Sequence, residues 1–183
     1  LTLVQRRDEL LHRVKNYRFR DWKDIKHDSS VFNGRLLHNR VGYTMKDQIP
    51  MFLGLRSEPW IGYLEQELLD KIPPGGLSRT ELFDGYPKGK ENAHIQRSLK
   101  SALNNLERQL IVAKQYVVLP NRKRSLAVFH RIHEVVEPLD FASAVKQLIE
   151  AIGPVRLHTL RFFVSRPVEE LAEVLRELDE SKK

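Results

Sequence analysis

Ile95-Gln96-Arg97-Ser98-Leu99-Lys100-Ser101-Ala102-Leu103-Asn104-Asn105-Leu106-Glu107-Arg108-Gln109-Leu110 reads as one amphipathic helix. Ile95, Leu99, Leu103, Leu106 and Leu110 recur every three or four residues with Ala102 beside them, which makes one buried stripe. The helix is expected from Glu91 to about Gln109. A second stripe at the same spacing carries Arg97, Lys100, Ser101, Asn104 and Arg108. Arg and Lys donate to guanine O6 and N7, and Asn pairs with adenine N6 and N7, so this stripe has the composition of a major-groove reader. An ordinary solvated helix face has the same composition, and the stripe alone does not separate the two.

The residues on either side add context. Leu110 to Leu119 is rich in β-branched residues, Pro120-Asn121-Arg122-Lys123-Arg124 is a basic turn, and Ser125 to His133 alternates again. Two strands about a polar turn make a β-hairpin. Upstream, Ser57-Glu58-Pro59-Trp60 reads as a helix start, with Ile61, Leu64, Leu68 and Leu69 as its inner face. Pro73-Pro74-Gly75-Gly76 stops that helix at Ile72. Leu77 to Phe83 forms a short second helix, with Ser78 and Glu81 as a capping box. Helix, short helix, long basic helix and hairpin with a basic tip is the order of a winged helix, a helix-turn-helix with a hairpin appended. The third helix would lie in the groove, while Arg122, Lys123 and Arg124 at the tip would reach phosphate or the adjacent minor groove.

Three units are therefore expected: a basic helical module at 1–57, a winged-helix domain at 58–137, and a second helix-turn-helix-like unit at 138–183. The last has helices expected over Phe141–Ile152, Leu157–Val164 and from Ser165-Arg166-Pro167 onward. Its outer face, Glu169, Glu170, Glu173 and Glu177, is acidic and suits a protein partner or self-association better than DNA. In the first unit, Leu3 to Tyr17 reads as a helix, and Asn33-Gly34-Arg35 as a turn. Another helix is expected between Leu36 and Leu55. Tyr17-Arg18-Phe19-Arg20-Asp21-Trp22-Lys23 interleaves aromatics with cations, a pattern that suits base stacking or plain core packing. The fold class expected is mainly α with a small antiparallel β-hairpin, in a tandem winged-helix arrangement.

Charge follows the same division. Residues 1–57 carry 12 basic and 6 acidic side chains, 58–87 carry 2 and 6, 88–131 carry 10 and 2, and 132–183 carry 7 and 10. The strongest positive field thus lies across the third helix and the hairpin, and the whole chain stands at +7. An anionic partner follows from that field, and double-stranded DNA is the partner expected. Zero cysteines exclude a disulfide framework, thiolate catalysis and Cys-ligated metal. No apolar run reaches 18 residues, so no membrane span is expected. With no visible signal peptide, the expected location is cytoplasmic, or nucleoid-associated in a prokaryote.

The search for chemistry gives little. His130 and His133 sit three apart on an expected strand, so they point to opposite faces. The other histidines show no ligand spacing, and no metal or cofactor is expected. Asp21, Asp24 and Asp28 among Lys23, Lys26 and His27 suit an acid or base, and solvated mixed charge equally. No phosphate loop or nucleophile elbow occurs, and nothing establishes an enzyme.

The middle segment, Ile72-Pro73-Pro74-Gly75-Gly76-Leu77-Ser78-Arg79-Thr80-Glu81-Leu82-Phe83 followed by Ser98-Leu99-Lys100-Ser101-Ala102-Leu103-Asn104-Asn105-Leu106-Glu107, resembles the central winged helix of the AlkZ-like winged-helix DNA glycosylases. A weaker similarity runs from Asp21-Trp22 through Leu53, and from Gly153-Pro154 to Leu178. Members of that family hold duplex DNA with tandem winged helices and remove alkylated or cross-linked bases. Their catalytic signature is Gln, an apolar residue, then Gln or Asp. Here the nearest match is Gln48-Ile49-Pro50, and Pro50 supplies no second polar group. The resemblance therefore implies DNA binding without carrying over catalysis. The leading expectation is a non-enzymatic DNA-binding regulator or chromatin-associated factor. A glycosylase-like repair enzyme or its fragment, and a protein-interaction scaffold, are the alternatives.

Overall fold

The computed structural model describes residues 30–37, 40–117, 126–132, 136–153 and 156–180. The expected helix at Leu3–Tyr17, the aromatic and acidic clusters before residue 30, the Arg122–Arg124 tip and His133 all lie outside them. The elements run β1 (Val31–Leu37), β2 (Arg40–Met45), a 3₁₀ turn (Lys46–Gln48), α1 (Ile49–Gly54), α2 (Tyr63–Lys71), β3 (Leu77–Ser78), α3 (Arg79–Leu82), α4 (Ala93–Arg108), β4 (Val112–Val117), β5 (Leu126–Arg131), α5 (Phe141–Ile152), α6 (Leu157–Leu160) and α7 (Val168–Glu180). The fold is thus mixed α/β, with two small antiparallel sheets rather than one hairpin on a helical chain.

Local chemistry accounts for much of this. The expected capping box forms: Ser78 Oγ accepts from the Glu81 amide at 3.3 Å, and the Glu81 carboxylate accepts from the Ser78 amide at 2.9 Å. Hydrogen bonding of the carboxylate by the Ser78 side chain and by the Ser78 amide holds the Glu81 carboxyl below its ordinary range. Asp140 caps α5 through the Ser143 amide at 2.9 Å. Three expectations fail. Leu77 and Ser78 do not open the second helix but pair with Phe129 and Val128 of β5, and the helix spans Arg79–Leu82. Residues 57–60 do not begin α2, which starts at Tyr63 with Gly62 as N-cap. All four are exposed, Trp60 to 74%, so no burial rewards helix there. Asn33-Gly34-Arg35 is not a turn but the middle of β1, paired with β2 and carrying an irregularity between Gly34 and Leu37. The glycine marks that bulge. The helix expected within residues 36–55 is confined to α1 because β2 takes the first half.

Two cores result. In one, Leu68, Leu82, Phe83, Leu99, Leu103, Leu106, Val112 and Phe129 bring α2, α3, α4 and the second sheet together. That sheet has the order β3–β5–β4, with Leu77 opposite Phe129 and Val112 opposite Arg131. In the other, Phe32, Leu36, Met51, Phe52, Val145, Leu148, Leu160 and Leu171 join β1, α1, α5, α6 and α7. The described part of the N-terminal segment and the C-terminal helices therefore share one apolar interior.

Leu110 couples the two. It ends α4 with φ +56°, a left-handed conformation normally left to glycine. Ile111 N donates to Leu106 O at 3.0 Å and Leu110 N to Glu107 O at 3.3 Å, the paired bonds of a Schellman cap. The reversal sends fully buried Leu110 into the first sheet's core and Ile111 into the other. Burial of the leucine offsets the backbone strain. Gly54 sets the approach of α1 to α5: a Cβ there would lie 2.3 Å from Leu139 O and 2.9 Å from Ala144 Cβ. Gly54→Ala is expected to destabilise the protein by about 1–3 kcal/mol, read as a lower urea midpoint.

Candidate nucleic-acid interface

The longest described helix, α4, buries Leu99, Ala102, Leu103 and Leu106 against the second sheet and α2. A stripe turned inward by 3.6-residue periodicity leaves its opposite face outward. Arg97, Lys100, Ser101 and Arg108 on that face are exposed, as are His94 in the first turn and Lys90 just before the helix. No carboxylate interrupts the face within α4 except Glu107. Asn92 leaves the helix start without a side-chain cap, its amide donating to Lys88 O at 3.0 Å instead. The positive end of the helix dipole therefore adds to the same field.

Asn104 differs from its neighbours. It is half-buried, and its Oδ1 accepts from Arg35 Nη2 at 3.2 Å. Arg35 Nε also stands 4.0 Å from the Glu107 carboxylate, with both side chains largely covered. Strand β1 thus lies along the C-terminal half of the stripe. Asn104 has one of its acceptor sites occupied and its orientation fixed by a cation. Sequence periodicity places Asn104 on the face; only the tertiary pairing with Arg35 shows how it is held. The neighbour Asn105 points to the other side, donating to the buried Glu65 carboxylate at 3.0 Å.

Of the residues expected to meet DNA, the fold brings Arg97, Lys100, Ser101 and Arg108 onto one exposed surface and gives Asn104 a structural bond. Arg122, Lys123 and Arg124 lie in the 118–125 connection outside the described residues, between the paired strand ends Val117 and Leu126. Arg35 was missed as a neighbour of the stripe because a mid-strand Asn-Gly reads locally as a turn. Among the described residues no cluster of His, Asp or Glu could hold a metal ion. Nor, among them, is any helix long and apolar enough to cross a membrane. No family model, curated protein or solved structure matches the chain.

Proposed function

We propose that this chain is a double-stranded-DNA-binding protein of winged-helix type, acting as a regulator or chromatin-associated factor rather than an enzyme. The observation that carries the reading is the exposed Arg97, Lys100, Ser101 and Arg108 stripe on the outward side of a helix whose inward side is leucine. The order α2, β3, α3, α4, β4, β5, with β3 paired to β5, supports it as the arrangement of a winged helix. In that arrangement α4 enters the major groove and the 118–125 connection is the wing. Arg122, Lys123 and Arg124 then contact phosphate, and binding is mostly backbone-directed.

Fluorescence anisotropy with a short duplex tests this. For about five to seven phosphate contacts, log K falls with log salt at a slope of roughly −4 to −6. Affinity that does not change with salt would reject the proposal.

Glycosylase chemistry is not part of the reading. Gln48 stands at the N-cap position of α1 without a side-chain cap bond, and Pro50 occupies its first turn, where Pro50 O accepts from the Leu139 amide at 3.0 Å. A second role, docking a protein, rests on the exposed Glu169, Glu173 and Glu177 of α7, a face that repels phosphate. Light scattering on the purified chain reads self-association through it.

A further inference from the structure

At the seam of the two cores lies a cavity of about 200 Å³, walled by β1, the 3₁₀ turn and the start of α1 on one side and the β4–β5 strands on the other. Its apolar surface comes from Phe32, Ile49, Ala113 and Ile132. Its charged groups are all basic: Lys46 from the 3₁₀ turn, Lys114 from β4 and Arg131 from β5. Among the described residues that line it, none is Asp or Glu. Arg131 Nη2 donates to Leu69 O at 2.8 Å, so its guanidinium is turned to α2. Lys46 and Lys114 beside the apolar walls give the cavity its positive potential. From this lining we infer that the cavity is a binding site for a small organic anion, a carboxylate carrying a short apolar tail.

His130 adds a directional group to the same cavity. Its ring bonds the Pro74 carbonyl, while Nε2 is buried with no hydrogen-bond partner among the described residues. Burial, and secondarily the charge of Lys46, hold the imidazole below its ordinary pKa, so it is neutral at neutral pH. Lys114, Tyr116 and Arg131 line the cavity with it, and none of them is a carboxylate. A bound carboxylate supplies both an acceptor and a countercharge for Nε2–H, so binding takes up a proton. The size also selects. About 200 Å³ is smaller than the roughly 300 Å³ at which drug-sized pockets begin. Lys114, 5.7 Å from the Tyr116 ring centroid, lines the cavity together with that ring. A ligand held there touches both sheets and ties the two cores together.

The probe is hexanoate, titrated into the full chain and followed by calorimetry and by the His130 ring resonances in NMR. Saturable binding is expected, with a raised melting temperature. Hexanol lacks the charge, hexylamine reverses it and acetate lacks the tail, so each binds at least about tenfold more weakly. Lys46→Met and Lys114→Met each weaken hexanoate by about tenfold while leaving the unliganded melting temperature in place. Lowering pH from about 7.5 to about 6 tightens binding, because the proton taken up on binding is then drawn from a more concentrated pool. No saturable shift of His130, equal binding of hexanol, or unchanged affinity in both lysine variants overturns the inference.

Discussion

Replacing Arg97 and Lys100 together by Glu is expected to weaken duplex binding by about 50-fold or more near 0.1 M salt. Each phosphate contact contributes roughly 0.9 to the slope of log K against log salt, so two lost contacts flatten it by about 2. Charge reversal adds repulsion, which makes 50-fold a lower bound. Both side chains are exposed on α4, so the fold tolerates the change and far-ultraviolet circular dichroism stays as in the parent. Asn104→Ala separates backbone contact from base reading. Its Oδ1 is already tied to Arg35, so general affinity changes by less than about threefold and any effect is confined to sequence preference. Unchanged binding and slope in the double Glu variant would remove α4 from the interface.

Arg56→Met has the largest stability effect expected, a loss of about 3 kcal/mol in urea unfolding. Arg56 is 7% exposed. Its Nη1 donates to Ser165 Oγ at 2.8 Å, and its Nη2 to Arg35 O at 2.8 Å and Leu36 O at 2.9 Å. The neighbouring backbone reinforces the joint: Ser165 N donates to Leu55 O at 3.1 Å, and Arg166 Nε to Arg56 O at 3.0 Å. One guanidinium therefore pins β1, the end of α1 and the approach to α7 together. Burial lowers its pKa to about 10, which still leaves it charged at neutral pH. Methionine fills the volume but leaves two strand carbonyls and a hydroxyl without their donor, at about 1–3 kcal/mol for each buried acceptor. Relief of the guanidinium's desolvation offsets part of this. Arg56→Lys keeps the charge but has no planar fork to serve three acceptors, and falls between parent and Met. An unchanged urea midpoint in Arg56→Met would show that the joint contributes nothing.

The β4–β5 pair and the helices were legible from the sequence because the signals there are local, whereas β3, whose partner β5 lies far along the chain, was expected as helix. The leucine spacing of Ile95–Leu110, the Ser78–Glu81 box and the Pro73-Pro74 stop each act within about one helical turn. Those elements lie close to where the pattern places them: α4 spans Ala93–Arg108, α5 Phe141–Ile152 and α2 ends at Lys71. Residues 31–45 misled because Asn-Gly is a turn signal only when no partner strand competes for it. Here β2 pairs straight through it.

The sequence by itself determined the amphipathic helices, their caps, the alternating strands and the concentration of positive charge between Lys88 and Arg131. Only the tertiary structure decided that residues 31–55 and 141–178 close over one interior. It also decided that Arg35 covers one end of the basic stripe, that Arg56 is an internal strut, and that the two sheets flank a cavity lined by Lys46 and Lys114. The physical reason is range. Capping and periodicity are written within a few residues, whereas Arg35–Asn104 and Arg56–Ser165 join side chains 69 and 109 positions apart. Which of many basic residues meets which carbonyl is set by how the whole chain packs.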